Sequence, residues 1–493
     1  MRNNILKHAA CMFMTAAVLV CSTLPSMCQP QPADSMTNRR TDEMARKLIN
    51  LYNRSEFDSI YALTNQVFRN AIAKDAFVQS MKTQLQPLGT IAGFGQAQRA
   101  NGVSRYKCIM SSGLNLQMLV ALDAEDKVST WAMRPWQEKP TTERTNIWND
   151  NAMATSLDSL VNKIAADYMK THFTPGLSIG ILQGTKASTY NYGFARVETE
   201  QHPTRQTLYE IGSITKTFTA FVLADAVVNN KAKLDDPITK YLPDSVASNI
   251  KLQQIKLVHL SNHTSGLPRL PANLLEGSTK FNNPYAYYDN PKLFKFLKTV
   301  QPVRSPGIEY EYSNLAVGLL GVIMERVYAK PIQQLYDELI FKPLKMNNTF
   351  CGPIPDTTMA AAPYTDKAQP TNYWNFISLA AAGSIKSTTE DMLRYALYFT
   401  MKPRQKGKPH PRLALLDSIT YAKAPQYLSL GWLWDKDTGS NRIMQHSGGT
   451  GGFRSNISVI PDRKLAIVVL ANCAEEPGAP LVAELLRKEL LIQ

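Results

Sequence analysis

Cysteine is scarce in this chain. Of six among 493 residues, only Cys108, Cys351 and Cys473 lie beyond residue 28. An odd, widely spaced set supplies neither a disulfide framework nor a metal-ligand spacing, so burial as small apolar side chains is expected. Long apolar runs are also missing after the N-terminus. Leu465 to Leu470 is apolar but only strand-length, so no later segment is expected to span a bilayer. No internal repeat stands out, and no module interleaves aromatic with basic side chains. A nucleic-acid partner is therefore not expected, although the formal charge is +14 and the pI about 9.3. An anionic envelope polymer suits that charge better. His259 and His263 stand four apart, as in zinc-binding helices, but no glutamate lies between them. Structural histidines are expected there, with no metal and no cofactor.

What is present begins with an export signal. Arg2 and Lys7 precede an apolar run from Ala9 to Leu24, and Ser26 and Cys28 are small residues before Gln29. A signal peptide over 1–28, cleaved after Cys28, predicts an exported protein, periplasmic or secreted. Val20 and Met27, standing before Cys21 and Cys28, do not fit a lipoprotein site. With 44% hydrophobic and 19% charged residues the remainder reads as globular. Its length favours two domains.

The first, 38–136, opens with helical periodicity: Met44, Leu48, Ile49 and Tyr52, then Phe57, Ile60, Tyr61 and Val67, then Phe77, Met81 and Leu85. The period then falls to two through Tyr106, Cys108 and Met110, through Leu114 to Leu122, and through Val128, Thr130 and Ala132. Helices followed by antiparallel strands make a small α+β domain. Residues 137–152 read as a linker.

The second, 153–493, carries strands at both ends: Gly176 to Gln183 and Ala187 to Phe194 around a three-residue turn, and Phe453 to Ile460 and Leu465 to Leu470 near the C-terminus. A helix follows from Leu481 to Leu491. The stretch 230–400 reads as mostly helical. One antiparallel sheet built from both chain ends is expected, with an inserted helical lobe and a cleft between them.

Three segments of this domain carry chemistry. In Gly212-Ser213-Ile214-Thr215-Lys216 a serine precedes a lysine by three residues and opens a helix. The serine hydroxyl then sits at the positive end of the helix dipole, with Lys216 one turn along on the same face. A weak hydroxyl nucleophile needs such a base, and lysine can act as one when desolvation or nearby cations depress its pKa. In Tyr312-Ser313-Asn314 the phenol can share a proton with a lysine, and the amide can hold a substrate amide. In His446-Ser447-Gly448-Gly449 the glycines allow close backbone approach, and the N–H groups of Ser213 and Gly449 can face an oxyanion. His446 and Ser447 are candidate contacts for a substrate carboxylate.

Taken together, these segments resemble the serine β-lactamase and penicillin-binding protein superfamily, which uses S-x-x-K as a signature. The likeness is closest to its class C, D-alanyl-D-alanine carboxypeptidase and esterase branch, whose second motif is Tyr-x-Asn. Tyr209-Glu210-Ile211 before the serine, His263-Thr264-Ser265-Gly266-Leu267-Pro268, Pro306-Gly307, Phe341-Lys342-Pro343-Leu344 and Ala382-Gly383-Ser384 also fit it. The resemblance implies an antiparallel sheet flanked by helices, and hence a multi-domain α+β chain. It implies that Ser213 is the nucleophile, Lys216 and Tyr312 the proton-transfer pair, and Asn314, His446, Ser447, Gly448 and Gly449 the substrate-binding set. The substrate would be a small peptide, amide or ester, cell-wall peptide included; a slow or non-turning-over penicillin-binding sensor of the cell wall, or a true β-lactamase, is the alternative. His446 stands where a β-lactamase has lysine, a departure that weakens the lactam reading. The N-terminal region is similar in pattern to cone-shaped nuclear-transport-factor-like modules, with a dimer contact or a cover for the cleft as expected roles.

Overall fold

The computed structural model describes residues 35–492, apart from 101–102, 137–143, 278–282, 402–403, 406–407, 425 and 437–440. The segment read as a signal peptide lies outside them. The chain divides into two compact units, Met1–Glu138 and Lys139–Gln493. Among the described residues no helix is long and apolar enough to cross a membrane.

In the first unit, helices α1 (Ser35–Asn53), α2 (Phe57–Ala62), α3 (Gln66–Ala71) and α4 (Lys74–Ser80) precede strands β1 (Ile91–Ala100), β2 (Val103–Met110), β3 (Asn115–Leu122) and β4 (Val128–Pro135). The strands form an antiparallel meander in chain order. Leu48, Tyr52, Phe57, Phe68 and Phe77 from the helices share a core with Tyr106, Cys108, Met118 and Trp131 from the sheet. The alternation of Tyr106, Cys108 and Met110 on the buried face is the period-two pattern of the sequence made physical. β1 was not evident beforehand. Its Gly93 and Gly95 dilute the alternation, and its pairing with β2 slips twice.

The second unit begins with residues 144–152 strapped onto its own body. Arg144 donates to the carbonyls of Met169, His172 and Thr174, and Asp150 accepts from the backbone and side chain of Asn191. Thr155 and Asp158 then form a capping box that starts α5 (Ser156–Thr171).

An eight-stranded sheet follows. Its members are β5 (Gly176–Gln183), β6 (Lys186–Gly193), β12 (Tyr421–Lys423), β13 (Gln426–Leu428), β14 (Leu433–Lys436), β15 (Arg442–Gly449), β16 (Arg454–Ile460) and β17 (Leu465–Ala471). Their order is β12-β13-β14-β15-β16-β17-β5-β6, so the two ends of the domain meet at the antiparallel β17–β5 pair. The β5–β6 turn is two residues rather than three, since Gln183 pairs with Lys186. β17 is buried throughout because both of its faces are covered. Leu465, Ile467 and Val469 pack with α5 and the last helix, α9 (Gly478–Ile492). Ala466, Val468 and Leu470 point into the larger core with Phe218 and Leu393.

Between β6 and β12 helices alternate with long loops, and a small three-stranded sheet is formed by β7 (Tyr209–Glu210), β9 (Ile385–Ser387) and β8 (Phe350–Cys351). A two-residue hairpin pairs β10 (Arg404–Gln405) with β11 (Lys408–Pro409). At the centre is α6 (Thr215–Val228), buried from Thr215 to Ala226. It packs beside α7 (Asn314–Tyr328) and α8 (Thr389–Thr400), its Phe218 ring stacked on Tyr395 at 4.0 Å. A helix apolar on every side belongs in a core. Burial of this kind gives its first turn a fixed position.

Candidate active site

Ser213 sits in a tight turn, Gly212–Ile214, that leads directly into α6. Gly212 has φ +50, and a Cβ there would lie 2.7 Å from the Gly449 nitrogen. A Cβ on Gly448 would lie 2.0 Å from the Ile211 carbonyl oxygen. The absence of side chains at both positions lets the end of β15 lie against the serine turn. Ser455 on β16 ties the same turn down, donating to the Ile211 carbonyl at 2.8 Å.

Lys216 is 1% exposed. Its Nζ donates to Ser213 Oγ at 2.9 Å and to the Ala382 carbonyl at 2.6 Å. Burial, and then the charge of Arg269, hold its pKa well below the ordinary lysine value. Its nitrogen stands 4.9 Å from the centre of the Tyr312 ring. Tyr312 is moved the opposite way. Desolvation raises its pKa, opposed by a hydrogen bond with Ser213 and by Arg269. An amine with a phenol and an ammonium with a phenolate hold the same number of protons. Burial favours the first, neutral arrangement for this pair.

α7 supplies the next group. Ser313 caps it, accepting from the Ala316 amide and donating to the Pro268 carbonyl. Asn314 therefore enters the site on the first turn of a fixed helix. Its Nδ2 donates to the Tyr285 hydroxyl at 2.9 Å, while its Oδ1 is buried with no hydrogen-bond partner. A buried amide oxygen without a donor costs stability and is suited to receive one from a ligand.

The third segment is the end of a strand, β15. His446 is buried, its Nδ1 2.7 Å from the Ser447 carbonyl oxygen, and its ring centre is 6.4 Å from that of Tyr312. Burial, reinforced by Lys216, pushes its pKa down to about 3, so the imidazole is neutral at pH 7. Ser447 is exposed, and its Oγ accepts from Asn456 Nδ2 at 3.0 Å. Ser213, Lys216, Tyr312, His446, Gly448 and Gly449 meet around the serine turn and Asn314 opens α7 two residues after Tyr312, whereas the Ser447 side chain bonds Asn456 on the neighbouring strand.

Further residues pack against these groups. His263, set aside as structural, has φ +59 and is buried against Tyr312, with ring centres 4.4 Å apart. Its Nδ1 accepts from the Ser313 amide, and its buried Nε2 has no partner. No group of residues able to hold a metal occurs among the described residues. Tyr285 stacks on Phe376 at 4.5 Å and lies 5.5 Å from Trp374, forming an aromatic wall beside Asn314. That wall is held from below by β7 and β9, where Glu210 faces Lys386 in register. Glu210 accepts from the Trp374 amide at 2.7 Å, and Lys386 donates to the Trp374 carbonyl at 3.0 Å. The two charges are themselves 3.8 Å apart and both nearly fully buried.

A half-buried serine beside a buried lysine of lowered pKa, with a phenol alongside, defines a serine hydrolase centre. Comparison with known proteins gives the particular family. The family model described as Beta-lactamase matches residues 161–491, and the chain belongs to that family. It is 28% identical over 352 residues to a beta-lactamase of Pseudomonas fluorescens, covering 65% of this chain and 94% of the relative. It is 27% identical over 352 residues to a beta-lactamase of Escherichia coli (strain K12), covering 64% and 89% respectively. The D-alanyl-D-alanine-carboxypeptidase/endopeptidase AmpH of the same organism is 27% identical over 313 residues, 60% of this chain and 79% of its own length.

Proposed function

We propose that this serine hydrolase is exported and cleaves D-amino-acid peptides, amides or esters through an acyl-enzyme on Ser213. The observation that carries the reading is the 2.9 Å contact between Ser213 Oγ and the buried Lys216 amine, whose pKa burial holds well below the ordinary lysine value.

In the first step the Lys216 amine takes the Ser213 proton as Oγ attacks the scissile carbonyl. The negative oxygen that develops faces the backbone N–H groups of Ser213 and Gly449, which need no rearrangement to receive it. Tyr312, protonated at rest, gives its proton to the leaving nitrogen or oxygen, and the proton on Lys216 replaces it. The unpartnered Asn314 Oδ1 accepts from an amide N–H of the substrate. Water then releases the acyl group by the reverse proton path.

Two observations bear on the substrate. His446 is neutral, so it offers a substrate carboxylate no charge. One relative carries the name of a D-alanyl-D-alanine carboxypeptidase. Export is supported by Arg2, Lys7 and the apolar run that follows. The test is D-alanine release from a D-alanyl-D-alanine peptide. Release by the parent and none by Ser213→Ala is expected; equal release by both would overturn the mechanism.

A further inference from the structure

Arg269 is an exposed cation beside the reacting groups. Its guanidinium lies 5.1 Å from the centre of the Tyr312 ring. Among the described residues it joins no ion pair, whereas nearby charges are matched. Arg304 pairs with Glu309 at 3.0 Å and with Glu311 at 2.5 Å, and Lys386 faces Glu210. Its backbone is fixed, because the amides of Asn314 and Leu315 at the start of α7 both donate to the Arg269 carbonyl, at 3.0 and 3.2 Å. The field of its charge reaches Lys216, His263, Tyr285, Tyr310 and Tyr312. A planar guanidinium set over the Tyr312 ring, with no acid of its own, matches the geometry of a carboxylate.

We propose that Arg269 is a specificity-determining residue that selects acyl donors carrying a carboxylate close to the scissile carbonyl. The inference rests on Ser213 forming the acyl-enzyme. It assigns to the start of α7 the charge reading that neutral His446 on β15 does not provide.

Two matched substrate pairs test it. The first sets mono-p-nitrophenyl succinate against p-nitrophenyl butyrate, with the carboxylate on the acyl side. The second sets a hippuryl thioester of thioglycolate against the same thioester with that carboxylate methylated, placing the charge on the leaving side. For at least one pair, Arg269→Gln lowers the charged-to-neutral ratio of kcat/KM by at least about tenfold, the low end for a charge-assisted hydrogen bond. The loss falls mainly in KM. Arg269→Lys retains part of the ratio, and added salt lowers it in the parent protein. The responding pair identifies the side on which the carboxylate is read. A ratio unchanged by Arg269→Gln in both pairs, including a parallel fall of charged and neutral substrates, overturns the proposal. Ser213→Ala separates the two levels: turnover surviving in that variant defeats the acyl-enzyme reading itself, while its loss with an unmoved ratio defeats only the role of Arg269.

Discussion

Lys216 Nζ bridges Ser213 Oγ and the Ala382 carbonyl oxygen, at 2.9 and 2.6 Å, without a carboxylate partner among the described residues. A lysine so placed is held by neutral acceptors only, and burial then disfavours its charged form. The amine is thereby a base aimed at one hydroxyl.

Loss of that base has a definite expected size. Lys216→Ala should lower kcat by roughly 10²- to 10⁴-fold, the usual contribution of a positioned general base. Thermal unfolding should move little, since the hydrogen bonds of a buried amine are lost while the cost of burying that polar group is relieved. Steady-state kinetics alongside a melting curve checks both.

The pH dependence follows from the same directions. Protonated Lys216 cannot accept the Ser213 proton, so kcat/KM should rise with pH through the lowered lysine pKa. The limb should belong to Lys216 and not to His446, which already lacks its proton above about pH 3. His446→Gln should therefore leave the position of the limb unchanged in a kcat/KM profile.

Stability should respond to His446 in acid. Its folded pKa of about 3 lies below the unfolded value of 6.5, so the unfolded chain binds more protons between those values. Stability is lost as pH falls through that window, by at most about 1.4 kcal/mol per pH unit for this one group. Denaturant melts of the parent and His446→Gln should diverge as pH falls from 7 to 4, the variant losing less.

Lys386 offers a structural prediction. Lys386→Met leaves Glu210 buried without its countercharge and frees the Trp374 carbonyl. A cost of about 3–5 kcal/mol is expected, and pairing it with Glu210→Gln should recover part of that. A double-mutant cycle by chemical denaturation measures the recovery.

The hydrophobic periodicity of the chain revealed the β17–β5 junction and the helices around it, because buried strands and amphipathic helices write their burial into the spacing of apolar residues. The eight site residues were legible as three motifs. β1 and the short strands β12, β13 and β14 were not, since glycines or a length of three or four residues leave no period to detect. β15 was hidden by its own chemistry, as His446-Ser447-Gly448-Gly449 reads as a loop until its pairing with β16 is seen. The approach of His263 and Arg269 to Tyr312 depends on a long-range fold of the 263–269 loop against α7, which no local pattern encodes.

The central claim is that Ser213 becomes acylated during turnover. Acid-quenched samples of the protein turning over p-nitrophenyl butyrate, followed by intact mass and peptide mapping, test it directly. A butyryl adduct on the peptide containing Ser213, with neither adduct nor turnover in Ser213→Ala, is the result expected. Turnover that persists in Ser213→Ala, or an adduct mapped to another residue, would contradict the account.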